Sequence, residues 1–153
     1  MKKFVAVLLA AMLCLSFAAC GGEKATDKTV DAAAMFKTLL TDVTYTDNAT
    51  ELDSSMAGVL LGGELPEGTE AHLAANDSAY LRCAVFACKD KDAAAAVKKL
   101  IQTYIDDSID AKYNVDEVAL LQNAKIHSMG NYVAVAVTSD TDNVNKVIDQ
   151  YFA

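Results

Sequence analysis

Tryptophan is absent from this 153-residue chain, proline occurs once, at Pro66, and histidine twice, at His72 and His127. Each scarcity narrows the chemistry. Two isolated histidines and no Cys-x-x-Cys pair exclude the common local zinc motifs. A metal would need His72 and His127 to meet on neighbouring strands. No Gly-x-Ser-x-Gly is present, so no nucleophile elbow is encoded. Gly58 to Gly63 has the glycines of a phosphate loop without its lysine. Asp140-Thr141-Asp142 opens like a calcium loop, then fails at Val144, lacks the central glycine and has Tyr151 where glutamate belongs. Cations are scarce too: 13 Lys and Arg stand against 21 Asp and Glu, a net charge of −8. That balance speaks against nucleic acid as a partner and against basic docking on anionic lipid. No apolar run reaches the roughly 20 residues of a membrane-spanning helix.

What is present begins at the N-terminus. Lys2 and Lys3 form a positive head, Phe4 to Leu15 an uncharged apolar stretch, and Ser16-Phe17-Ala18-Ala19 a run of mostly small residues. This is the layout of a secretory signal. Ala18-Ala19 directly precede Cys20, and Gly21-Gly22 follow it. The pattern resembles the lipobox of bacterial lipoproteins, with Phe17 where leucine is commonest. The resemblance implies cleavage before Cys20, lipid on its thiol, and export to the outer face of the bacterial cell membrane. An ordinary secretory signal with a fortuitous cysteine fits less well. Two or more acyl chains hold a protein stably where one is marginal. The reading divides the chain into a signal peptide (1–19), a lipidated cysteine and tether (20–28) and a single domain (29–153). Two basic residues leave with the leader, so the net charge of the remainder becomes −10. The tether from Gly21 to Lys28 reaches at most about 28 Å, which keeps the domain near the membrane.

Four cysteines then reduce to two. Cys14 leaves with the leader and Cys20 carries lipid, so Cys83 and Cys88 remain. Export permits a disulfide. On one strand, however, residues five apart are separated by roughly 16 Å and face opposite sides. A disulfide needs Cα atoms within about 7 Å. Two small buried hydrophobes are the simpler reading.

Hydrophobic spacing supplies the architecture. Thr29 reads as a helix cap before Ala33, Phe36, Leu39, Leu40 and Val43. Glu51 to Leu61 reads as a shorter helix ended by Gly62-Gly63. Thr69–Ala75 and Tyr80–Cys88 read as strands around the Asn76-Asp77-Ser78 turn. In the second strand, Leu81, Cys83, Val85 and Ala87 are expected on one face. Asp90 caps a helix from Lys91 to about Ser108, and Val115 to Gln122 is a further helical stretch. Ala124–Met129 and Tyr132–Thr138 pair around Gly130-Asn131. A last helix from about Asp140 buries Val144, Val147, Ile148, Tyr151 and Phe152. The fold class is α+β, with an antiparallel sheet of about four strands, in two hairpins, packed with helices. The sheet's second face is not clearly polar. It is either covered by the first helices or is a contact surface.

The stretch from about Val30 to Phe152 also resembles the bacterial lipoprotein family of domain of unknown function 4358. Ala84-Val85-Phe86 followed by Lys89-Asp90 and an alanine-rich helix carry the likeness. Gly130-Asn131-Tyr132-Val133 and the closing helix continue it. Arg82 departs from the family, in which an acidic residue is usual before this strand core. The resemblance implies this address and architecture, and no known activity, cofactor or catalytic residue.

Function is therefore expected to be a non-enzymatic binding or accessory module acting on an unknown protein or small ligand, with no metal and no cofactor. Tyr80, Tyr132, Ala134 and Ala136 form the candidate contact surface. A small envelope hydrolase or metal-dependent enzyme built on His72 or His127 is the alternative, and an envelope assembly partner is another. Asp106, Asp107 and Asp110 read as a solvated helix end.

Overall fold

The computed structural model describes residues 28–111 and 114–153. The leader at 1–19, Cys20 and the tether as far as Asp27 lie outside the described residues. Helix α1 (Ala32–Asp42) comes first. Its cap is Asp31, two residues after the expected Thr29. The Asp31 carboxylate accepts from the Ala34 amide at 2.9 Å and satisfies one of the free N–H groups of the first turn.

Strand β1 (Thr50–Leu52) and helix α2 (Met56–Leu61) replace the single helix expected over Glu51–Leu61. The break lies at Asp53. Its carboxylate accepts from the Ser55 amide at 2.9 Å, an Asx turn that ends the strand and starts the helix. Three residues of weak strand propensity become a strand because the edge of β2 (Glu70–Ala75) offers them a ladder, with Leu52 opposite Leu73. Local spacing does not carry that information.

Strand β3 (Leu81–Ala87), helices α3 (Lys91–Ala111) and α4 (Val115–Asn123), strands β4 (Lys125–Met129) and β5 (Tyr132–Ala136) and helix α5 (Thr141–Phe152) complete the chain. The sheet has five strands, one more than expected, in the order β1-β2-β3-β5-β4, and every neighbouring pair is antiparallel. Both expected hairpins form. The class is α+β.

Helices cover both faces of the sheet. On one side α2, α3 and α4 pack through Ala57, Val97, Ile101 and Leu121 onto Leu73, Phe86, Val133 and Val135. On the other side α1 and α5 pack through Met35, Phe36, Leu39 and Val147 onto Ala74, Cys83, Val85 and Ala134. Fully burying a side chain such as Phe36, Leu39 or Phe86 contributes roughly 1.5–3 kcal/mol. Coverage on both sides explains why β3 and β5 lack a polar face: every residue of β5 is buried.

The register of β3 slips once. Ala74 pairs with Cys83 and Ala75 with Leu81, which leaves Arg82 as the extra residue of a β-bulge. The bulge breaks the expected alternation. Leu81 joins the α3 side with Ala84 and Phe86, while Cys83 and Val85 face α1.

Candidate functional site

The four residues of the expected contact surface do not form one. Tyr132, Ala134 and Ala136 are buried in the core beneath α1 and α5. Tyr80 is half-buried and precedes β3. It sits at the Cys83–Ala136 end of the sheet, whereas Tyr132 pairs with Ala87 at the other. Sequence alternation read this face as not clearly polar, either covered by helices or a contact surface. Its occupants are the chain's own helices.

His72 and His127 share a sheet face but not a site. His72 pairs with Val85, Val85 with Ala134, and Ala134 with His127. The two therefore stand in one cross-strand row, three strand spacings or about 14 Å apart. His72 contacts Glu70 through Nε2 at 2.8 Å and stacks on Phe36 with ring centroids 5.8 Å apart. Burial, then Lys125, pushes the His127 imidazole below its ordinary range. Among the described residues no group of three His, Cys, Asp or Glu is placed to hold a metal ion.

Cys83 and Cys88 are free and buried. Cys83 faces α1 and Cys88 faces α3, the opposite sides that their spacing predicts. Burial pushes the Cys83 thiol up to about 12 and raises Cys88 as well. A thiol so held is a poor nucleophile.

The densest polar chemistry surrounds Arg82, which the sequence marks only as a lone cation in an apolar strand. Its guanidinium is 1 % exposed. Nη1 and Nη2 donate to the two Glu117 oxygens at 2.8 Å each. Nε and Nη2 donate to the two Asp47 oxygens at 2.6 and 2.9 Å. Nη1 also reaches the Leu81 carbonyl at 3.2 Å. These bonds use the five N–H donors that an arginine possesses. Burial opposes the charge on Arg82, and the hydrogen bonds to Asp47 and Glu117 outweigh it. The Asp47 carboxyl is in turn held at about 2, chiefly by Arg82 and further by the Asn76 amide. A cleft of about 450 Å³ opens here between Thr46, Asp47, Asn114, Glu117 and Ser139. No arginine donor remains to face it. The cluster ties α4, the loop after α1 and the bulge of β3 together, and it is a structural knot.

A second depression, of about 460 Å³, lies at the opposite end of the sheet. It is bounded by the end of β1 and the Asp53–Ser55 turn on one side and by Thr69–His72 on the other. Glu51, Asp53 and Glu70 line it, and among the described residues no lysine or arginine does. The Thr69 hydroxyl is buried on its wall without a nitrogen or oxygen partner, beside the weakly hydrogen-bonding Cys88 thiol. Here, unlike at Arg82, Glu51 and Asp53 face the groove without a basic partner, and Glu70 meets only the His72 ring. This groove is the candidate site.

No curated protein and no solved structure matches the chain. Residues 70–138, from the first residue of β2 to just beyond β5, match the model of one family, Domain of unknown function (DUF4358).

Proposed function

We propose that this protein is a bacterial lipoprotein, exported and held on the outer face of the cell membrane by lipid on Cys20. Its domain then serves as a non-enzymatic binding or accessory module. The observation that carries the address is Ala18-Ala19-Cys20-Gly21-Gly22 behind a basic and then apolar leader. The domain needs no membrane-binding face of its own. No helix among the described residues is long and apolar enough to cross a membrane.

The module reading draws on how the reactive groups are used. The arginine is saturated, the thiols are buried with raised pKa values, and the histidines lie about 14 Å apart. The acidic groove at Glu51, Asp53 and Glu70 is left for recognition.

Cys20→Ala is expected to abolish fatty-acid labelling and to move the protein from the membrane to the soluble fraction. Retention with unchanged labelling would sink the anchor. Hydrolysis of ester or peptide substrates by the purified protein, lost in His72→Gln, would overturn the non-enzymatic half.

A further inference from the structure

We infer that the groove beside β2 takes up an extended, lysine- or arginine-bearing peptide segment of a partner protein, which adds to the sheet as a short strand. The inference rests on the binding-module reading and specifies what is bound.

The sheet itself makes the vacancy. β1 covers only part of β2: Thr50, Glu51 and Leu52 pair with Ala75, Ala74 and Leu73. Carried further, that register would set Asp53 opposite His72 and Ser54 opposite Ala71. The chain instead turns out of the sheet, through the Asp53–Ser55 Asx turn and the Met56 amide bonded to the Asp53 carbonyl at 2.9 Å. Glu70, Ala71 and His72 pair with β3 on one side and have, among the described residues, no strand on the other. Both Ala71, which faces α3, and His72, which faces α1, line the groove, so it lies along the edge rather than on either face.

An unpaired strand edge presents main-chain N–H and C=O groups to an incoming chain. The free stretch of three residues spans about 10 Å. The groove volume of about 460 Å³ falls within the range of small-ligand sites and suits a few residues of extended peptide.

Charge decides which peptide. Glu51, Asp53 and Glu70 ring the slot, and the Asp53 carboxyl is held below its ordinary range by Ser55. A second copy of this chain, without its leader, would bring a net charge of −10 against that ring. A basic segment is attracted where an acidic one is repelled.

The test uses the full-length protein in detergent and three blocked pentapeptides. The first alternates lysine and valine, the second alternates glutamate and valine, and the third is the lysine peptide N-methylated at every amide. The lysine peptide is expected to bind and to shift the backbone amide resonances of Glu70 to His72. The other two are expected not to bind. Glu51→Lys/Glu70→Lys, at two exposed positions, is expected to weaken binding of the lysine peptide by about tenfold. Four results would each overturn the inference: no binding of the lysine peptide, equal binding of the glutamate peptide, equal binding of the N-methylated peptide, or unchanged affinity in the double variant. Self-association through this edge, abolished by the same double variant, would replace the peptide with a second copy. If lipid labelling at Cys20 persists while the peptides fail, only this inference falls.

Discussion

Arg82 and Glu117 form a two-pronged ion pair inside the fold, each guanidinium Nη donating to one carboxylate oxygen at 2.8 Å. The side chains are 1 % and 8 % exposed, so neither charge can turn to water if the other is lost. Removing one partner of a buried pair typically costs about 3–5 kcal/mol, and replacing both with apolar residues is often close to neutral. Arg82→Leu should therefore destabilise the domain by roughly that amount in urea unfolding. Arg82→Leu combined with Glu117→Leu should recover most of the loss. A double variant no more stable than the single one would contradict this account of the knot.

Asp47 gives the same cluster a pH dependence. Its carboxyl is held at about 2 in the folded protein against an ordinary 3.8. A depressed acid contributes stability that is fully present above its unfolded value and is lost as pH falls through its folded one. The contribution should be intact above about pH 4 and disappear towards pH 2. Asp47→Asn should flatten that segment of the stability curve. Equal acid sensitivity in the variant and the parent would exclude Asp47 as the source. Its carboxylate is 40 % exposed, so the effect should be modest.

Cys83 and Cys88 should behave as packing residues. Both should react slowly with a thiol reagent in the native protein and fully after unfolding, with no disulfide under oxidising conditions. Rapid native labelling of Cys83 would contradict a thiol pushed up to about 12 by burial.

Ala79 is the one non-glycine residue with positive φ among those described, at 61°. It closes the turn in which the Asn76 side chain accepts from the Ser78 and Tyr80 amides. The left-handed conformation costs an L-residue about 1–2 kcal/mol, and glycine adopts it freely at some cost in unfolded-chain entropy. Ala79→Gly should raise stability by about 0.5–1 kcal/mol, read as a higher melting temperature. A fall in melting temperature would show that the turn is held by something other than backbone preference.

Much of the domain was legible in the residues alone. Apolar spacing located α3, α5 and both hairpins, because amphipathic periods and Gly130-Asn131 turn chemistry are local properties. The five-residue gap between Cys83 and Cys88 set them on opposite faces, because side-chain direction alternates along a strand. That the second face of the sheet is not clearly polar was equally visible.

What covers that face was not. Whether an apolar strand face meets solvent, a partner or the chain's own helices depends on where α1 and α5 pack, and no local pattern encodes that. β1 exists because β2 has an edge to offer, so it too is decided by tertiary pairing. The bulge at Arg82 sends Leu81 to the opposite face from Cys83 and folds a lone arginine inward. Its partners, Asp47 and Glu117, are both 35 positions away along the chain. The sequence by itself determined the elements other than β1, and their buried sides other than at Leu81, since those follow from spacing. Only the tertiary structure decided which charges neutralise one another and where the sheet stays open, since both depend on residues far apart in sequence.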